Sequence, residues 1–180
     1  MIRSSDWTIL VGRFSASFSG VTTTTHTTLL DFETHAPAFS RALGQLDHAA
    51  TKELDRVDFD PRLRELVRVR ASQLNGCAYC IDMHTKDARA IGETEQRLYA
   101  LPAFRETPFF SEREHAALSF TESVTLVARD HVPEAAYDAV AEHFTPDEIA
   151  ALISLIVVIN AWNAASVSTR AWEPGSYEAG

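Results

Sequence analysis

Cys77 and Cys80 stand three positions apart and are the only cysteines of this chain. The sequence pattern predicts a helix over residues 77–91, and side chains three apart on a helix lie about 5–6 Å from each other on one face. That separation falls within the Cα range of a disulfide. His84 follows one turn further along the same face. Two thiols at a helix start, where the helix dipole favours the thiolate, indicate redox chemistry when an imidazole lies beside them.

Zinc binding is the main alternative for the same three residues. A C-x2-C-x3-H arrangement supplies zinc ligands at plausible spacing. A structural zinc site needs a fourth ligand, and the chain has no second cysteine pair. Three ligands from one short stretch of a single helix would also be strained. The residues alone leave redox and metal chemistry open, with redox chemistry favoured.

Composition narrows the class of protein. The 180 residues fit one domain, and 46% hydrophobic residues suffice for an ordinary core. A net charge of −9 argues against non-specific binding of nucleic acid. The longest apolar run, residues 149–161, is shorter than a membrane span. Two cysteines cannot form the disulfide framework of a secreted protein, so the expected location is a reducing cytoplasm.

Helix start and stop signals recur along the chain. Asp60-Pro61 is a start signal, and Gly76 is a stop signal. Two capping boxes, at residues 111–114 and 145–148, begin further helices. With hydrophobic periodicity, these signals predict helices at about 36–55, 61–75, 77–91, 93–100, 112–127, 134–144 and 146–168. No strand pattern competes with them, so the expected fold is all-α: a single domain of about six to seven helices.

The expected domain runs over residues 29–170. The threonine-rich residues 1–28 are predicted to be an irregular extension, and residues 171–180, with Pro174 and Gly175, a loose tail. The last helix is apolar nearly all round between residues 149 and 158, a pattern typical of a helix buried on every side. In a domain of this size, we expect a second subunit to cover its outer face, so the pattern predicts a homo-oligomer.

Periodicity alone places Glu65 in solvent, opposite the main apolar stripe of its helix. However, Glu65, eleven intervening residues, Cys77-x-x-Cys80, three more residues and His84 resemble the core motif of the alkyl hydroperoxidase D-like branch of the carboxymuconolactone decarboxylase family. Residues 66–80 and 156–163 are similar to that family as well, and the resemblance covers about residues 35–168. It implies an all-helical fold, assembly as dimers, trimers or hexamers, and thiol-dependent peroxidase activity. Decarboxylases of the family lack the cysteine pair, so lactone decarboxylation is not expected.

The resemblance also implies a role for each motif residue. Cys80 attacks the peroxide, Cys77 resolves the sulfenic acid by closing a disulfide, and His84 and Glu65 relay the proton, so Glu65 should face the cysteines. The helix start alone would instead favour Cys77 as the attacking thiol. The expected partners are a hydroperoxide and an external dithiol, either a reductant protein or a lipoyl- or thioredoxin-type donor, with no cofactor and no metal. The alternatives are a general disulfide oxidoreductase or thiol sensor, and a non-catalytic helical oligomer that binds zinc.

Overall fold

The structure, a computed structural model, describes residues 26–180, and this part of the chain contains nine α-helices, one 3₁₀-helix and no strand. The helices are α1 Phe32–His35, α2 Pro37–Arg56, α3 Pro61–Asn75, α4 Ala78–Ala90, α5 Glu95–Ala100, the 3₁₀-helix Leu101–Glu106, α6 Glu112–Thr125, α7 Val127–Asp130, α8 Glu134–Ala141 and α9 Pro146–Thr169. The predicted all-α class is confirmed. The predicted number of six to seven helices was too low, because α1, α7 and the 3₁₀-helix are too short to show periodicity.

The predicted caps form as the sequence indicates. Asp60 accepts hydrogen bonds from the backbone of Arg62 and Leu63 at the start of α3. Both capping boxes are complete, at the starts of α6 and α9, with each N-cap hydroxyl and the glutamate three residues later bonded reciprocally. Local chemistry therefore sets most of the helix boundaries.

Helices α3 and α9 form the centre of the domain. Helix α3 packs against α4, α6 and α9, and α9 also packs against α2, α4, α6 and α8. Their buried side chains join one core, whose largest fully buried members include Phe59, Phe104, Leu54, Leu66, Leu101, Leu118, Leu152, Leu155, Ile156 and Ile159. By length and composition alone, α9 could cross a membrane, but half of its most apolar window is buried within the chain. Val157 on its outer face is 51% exposed in the single chain, and the homo-oligomer stays a prediction.

Replacing Leu152 with alanine should destabilise the domain by about 2–5 kcal/mol, because a fully buried leucine leaves a cavity as well as losing its transfer free energy. Denaturant unfolding measures the change. Leu46→Ala is the matched control, since Leu46 is 47% exposed on α2 and should cost less than about 1 kcal/mol. Equal losses for the two variants would contradict the assigned core.

The ends of the chain differ in part from the expectation. Most of the predicted N-terminal extension lies outside the described residues. Of its last residues, His26 contacts the end of α9, with Nε2 2.9 Å from the Arg170 carbonyl oxygen. Leu29, the first residue of the predicted domain, follows there, and its backbone N–H donates to the carbonyl of Thr169 at 2.8 Å. The C-terminal tail has no helix, and it makes hydrogen bonds to α4: Gly175 N–H donates to Asp82, and Lys86 Nζ donates to the carbonyl of Tyr177 at 2.8 Å. The tail is therefore fastened to α4, which carries the cysteine motif.

Candidate functional site

The connection between α3 and α4 places the two cysteines. Helix α3 ends in a left-handed glycine, Gly76, with φ of 67°. The N–H of Cys77 donates to the Ser72 carbonyl at 3.0 Å, and the N–H of Gly76 donates to the Gln73 carbonyl at 3.3 Å. These two bonds make a Schellman motif. The turn leaves Cys77 as the N-cap residue of α4, one position outside the helix that the sequence had predicted to include it.

A disulfide joins Cys77 and Cys80, with an S–S distance of 2.08 Å and a Cα–Cα distance of 5.3 Å. The Cys80 N–H also points to the Cys77 sulfur at 3.3 Å. Both side chains are buried, Cys77 to 1% exposure and Cys80 to 5%. The pair that spacing predicted to be able to close is closed, and both of its residues are buried.

A polar network beneath the disulfide fixes the end of α3. Asn75 Nδ2 donates to Asn160 Oδ1 at 2.7 Å and to Asn163 Oδ1 at 2.9 Å. Asn163 in turn donates to the Ser72 hydroxyl, and the backbone carbonyl of Ser72 accepts the N–H of Cys77. Asn163 and Ser72 are fully buried and hydrogen-bonded, so the network holds the turn before Cys77 against α9.

Glu65 lies in the interior beside His84. Its Oε2 is 3.0 Å from His84 Nδ1, and its Oε1 accepts a hydrogen bond from Arg68. Glu65 is 7% exposed and His84 is 9% exposed. The periodicity-based placement of Glu65 in solvent was wrong, because α4 folds back and covers that face of α3. Its position facing α4 is the one that the family resemblance implies.

The charges around Glu65 keep it ionised. Burial alone raises the pKa of this carboxyl, but the His84 hydrogen bond and the charge of Arg68 lower the pKa by more, so it lies below the usual 4.5. Because both carboxylate oxygens are occupied, Glu65 holds His84 in one orientation. A neutral His84 would then carry its proton on Nδ1, with Nε2 left as the basic nitrogen.

Asp87 and Tyr177 extend this network to the chain terminus. Asp87 Oδ2 is 3.8 Å from His84 Nδ1, and Asp87 Oδ1 accepts a hydrogen bond from the Tyr177 hydroxyl at 2.7 Å. The hydrogen bond to Asp87 raises the pKa of Tyr177 to about 12, so the phenol stays a donor. The C-terminal tail is thereby hydrogen-bonded to Asp87, whose carboxylate lies near His84.

A cavity of about 320 Å³ opens on Cys80 and His84. Its lining is mostly apolar and includes Met83, Val158, Ile159, Trp162 and Trp172. Glu33, Asp47, Asp87 and Arg68 supply its charged groups. Cys80, His84 and an apolar chamber therefore meet at one place, whereas Cys77 does not line this cavity.

A second cavity, of about 270 Å³, opens on Cys77. Tyr79, Ser166 and Trp172 line both cavities, and the Tyr79 and Trp172 rings lie 6.0 Å apart. Its charged lining residue is Arg170. One cysteine of the disulfide, Cys80, thus lines the first cavity, and the other, Cys77, lines the second.

The metal-binding alternative finds little support among residues 26–180. The cysteines that would supply thiolates are joined in a disulfide. A different trio, Glu65, His84 and Asp87, has potential ligand atoms within 4.8 Å of one another. However, both oxygens of Glu65 already have partners, one of them the Arg68 guanidinium, whose positive charge opposes a cation at this point.

The sequence motif predicted that Glu65, Cys77, Cys80 and His84 form one site, but it did not include their neighbours. Arg68 could have been found from its i+3 spacing to Glu65, and Asp87 from the same spacing to His84. Trp172 and Tyr177 carry no local signal, because they reach α4 from about ninety positions away.

The chain matches the model of the carboxymuconolactone decarboxylase family over residues 37–123. It is 49% identical over 105 residues to the uncharacterized protein YdfG of Bacillus subtilis. The matched residues cover 58% of this chain and 71% of YdfG. A solved structure from Agrobacterium tumefaciens, of a protein of unknown function described as a candidate AhpD antioxidant defence protein, superposes with a TM-score of 0.76 at 31% identity. The match covers 82% of this chain and 99% of that one.

A second solved structure shares the fold at lower identity. This AhpD-core, peroxidase-related protein from Ralstonia eutropha superposes with a TM-score of 0.69 at 21% identity, over 80% of this chain and 74% of its own. Together with the sequence match and the all-helical architecture, these similarities place the chain: it belongs to the AhpD-like branch of the carboxymuconolactone decarboxylase family.

Proposed function

We propose that this protein is a thiol-dependent hydroperoxide reductase in which Cys80 is the attacking thiol. The observation that carries the proposal is the closed Cys77–Cys80 disulfide, with Cys80 and His84 lining one apolar cavity and Glu65 buried behind His84. A dithiol pair beside a basic nitrogen can supply the two electrons and the proton transfers for reduction of an O–O bond. The AhpD-like fold of its relatives supports a peroxidase-related role.

The cycle begins with both cysteines reduced. His84 Nε2 takes the proton of Cys80, and the charge of Glu65 stabilises the imidazolium that forms. The Cys80 thiolate attacks the peroxide O–O bond, which leaves sulfenic acid on Cys80 and releases an alkoxide that His84 protonates to the alcohol. The Cys77 thiol then attacks the Cys80 sulfur, and water leaves as the disulfide forms. An external dithiol supplies the two electrons and two protons that restore the thiols, so no bound cofactor is needed.

The lining of the cavity favours an uncharged organic hydroperoxide. Apolar side chains bury an alkyl or aryl group, whereas Glu33 and Asp47 repel an anionic substrate. The space of about 320 Å³ is enough for a small organic molecule rather than a polypeptide segment.

A general disulfide oxidoreductase is the second candidate, since the same dithiol could exchange with other disulfides. The 1% and 5% exposure of the two cysteines argues against it, because a protein disulfide must touch the attacking sulfur directly. A peroxide can diffuse into the cavity instead. Burial therefore favours the peroxidase.

The deciding experiment measures turnover with two kinds of oxidant. With dithiothreitol as electron donor, the protein should consume cumene hydroperoxide over many turnovers, and faster than it consumes hydrogen peroxide. It should reduce the disulfides of insulin no faster than dithiothreitol does alone. The reverse pattern, insulin reduction without peroxide consumption, would replace the peroxidase with the oxidoreductase.

A further inference from the structure

The two cysteines of the disulfide line two different cavities. Cys80 lines the chamber that also contains His84, and Cys77 lines the chamber that contains Arg170. Tyr79, Ser166 and Trp172 line both chambers. The Cys77 chamber therefore borders the disulfide at a different cysteine from the one that meets the peroxide.

The geometry of thiol–disulfide exchange makes the Cys77 chamber the approach for a reductant. A thiolate attacks a disulfide sulfur along the extension of the S–S bond, and the far sulfur leaves. Approach from the Cys77 chamber makes Cys77 the sulfur attacked and Cys80 the leaving group. The departing Cys80 thiolate then lies beside His84, the one imidazole that lines its cavity and can stabilise or protonate it.

The charged residues that line the two chambers differ, so the chambers favour ligands of different charge. The lining of the Cys80 chamber includes Glu33, Asp47 and Asp87, whereas residues 26–180 contribute no carboxylate to the lining of the Cys77 chamber. Arg170 is the arginine that lines the Cys77 chamber, and a positive charge there favours an anionic ligand.

The backbone at Arg170 is a second, independent observation. Arg170 ends α9 in the left-handed region, with φ of 51° and ψ of 37°. Glycine is the residue that helices favour at this position, because side-chain-bearing residues are strained there. The backbone of Arg170 also contacts the segment before α1, since His26 Nε2 lies 2.9 Å from the Arg170 carbonyl oxygen. A strained arginine at a glycine position points to a use for its side chain.

We infer that the chamber at Cys77 is the docking site for the reducing dithiol, and that Arg170 selects a dithiol bearing a carboxylate or another anionic group. The inference rests on the proposed function for its place in the cycle. One thiolate of the ligand attacks Cys77 Sγ, the Cys77–Cys80 bond breaks, and a mixed disulfide forms while Cys80 takes up a proton. The second thiol of the ligand attacks its own sulfur in the mixed disulfide and releases the Cys77 thiol. The ligand leaves as a disulfide, two electrons poorer, and its two protons stay on the cysteines.

The site of attack can be mapped directly on the oxidised protein. Brief exposure to 3-mercaptopropionate, a carboxylate-bearing monothiol, followed by acid quenching should trap a mixed disulfide. Chymotryptic cleavage after Tyr79 places the two cysteines in different peptides. The adduct is expected on the Cys77 peptide, and an adduct mainly on Cys80 would overturn the inference.

Arg170→Gly tests the charge selection without endangering the fold, because glycine relieves the backbone strain and should raise the Tm. The second-order rate of reduction of the oxidised variant by dihydrolipoate, which has a carboxylate, should fall about five-fold, the loss expected for one exposed ion pair. The rate with the neutral dihydrolipoamide should stay within two-fold, and Arg170→Lys should recover most of the dihydrolipoate rate. Equal changes with both dithiols, or with neither, would contradict the role of Arg170.

The matched control is Arg62→Gln, at the opposite end of α3 and about 20 Å along the helix from the cysteines. It removes the same charge and should leave both rates unchanged. Reduction of the oxidised protein is measured without peroxide, so its outcome is distinct from that of the proposed function. A protein that is reduced at Cys77 but consumes no hydroperoxide would sink the peroxidase and leave the docking site standing.

Discussion

Cys80→Ser should abolish hydroperoxide reduction, whereas Cys77→Ser should complete one turnover and stop. The first variant lacks the sulfur that lines the apolar cavity with His84, and the remaining Cys77 faces the other chamber. We expect the peroxide-dependent rate of Cys80→Ser to fall at least about 10³-fold, to the background rate of an unassisted thiol. The measurement is loss of cumene hydroperoxide in a single turnover, starting from reduced protein.

Cys77→Ser makes the result specific to one sulfur. Sulfenic acid should accumulate on Cys80 in this variant and be trapped by dimedone, because no resolving thiol remains to displace it. In Cys80→Ser, dimedone should label nothing. Dimedone on Cys77 of the Cys80→Ser variant, together with an inert Cys77→Ser variant, would reverse the two roles and agree with the helix-start argument instead. Both substitutions exchange one small side chain for another, so unfolding curves of the reduced proteins should match.

Most of the scaffold could be predicted because its boundaries depend on local chemistry. Asp60-Pro61, Gly76 and the two capping boxes each act within four residues of their own position, and the helices begin and end beside them. Helices α1 and α7 have four residues each, which is about one turn, so no periodicity could show them. The cysteines and His84 could be found for the same local reason: they share one face of α4.

Glu65 marks the limit of periodicity as a guide. The apolar stripe of α3 predicts one buried face, but α3 is covered by α6 and α9 on one side and by α4 on another. The second burial depends on the Schellman turn at Gly76, which folds α4 back along α3. Only the motif resemblance located Glu65. Trp172 and Tyr177 could not be located at all, since their contacts with Tyr79 and Asp87 join residues about ninety positions apart in the sequence.

Glu65→Gln should slow hydroperoxide reduction about 10²-fold while the protein still folds. The amide keeps the shape of the side chain and a carbonyl oxygen for the His84 Nδ1 proton, but it removes the negative charge that stabilises the imidazolium. Thiolate formation at Cys80 then needs a more alkaline solution. The rate of alkylation of the reduced protein by iodoacetamide, followed against pH, should reach its half-maximum at a higher pH than in the wild type.

The pH profile separates this role from simple loss of structure. A weakened fold would lower the rate or the amplitude without moving the midpoint, whereas loss of the charge behind His84 moves it. Glu53→Gln is the control, because Glu53 pairs with Arg56 on the exposed side of α2. Unshifted profiles for both variants would remove Glu65 from the relay and leave it a structural partner of Arg68.

Glu65→Gln should also change how the free energy of unfolding depends on pH in acid, in a direction that follows from the lowered pKa of Glu65. Folding lowers the pKa of Glu65 below 4.5, because the His84 hydrogen bond and Arg68 outweigh the effect of burial. The folded state therefore binds fewer protons than the unfolded state in this range, and the stabilisation by Glu65 is complete above about pH 4.5. It is lost as the pH falls through the folded-state pKa.

We expect Glu65→Gln to lower the free energy of unfolding at pH 7 by about 1–3 kcal/mol, since the partly buried Arg68 loses its charged partner. The difference from the wild type should then shrink below pH 4.5, because protonation removes the same charge from the wild-type side chain. A difference that stayed constant down to pH 3 would mean that the carboxylate of Glu65 contributes no charge to the folded state.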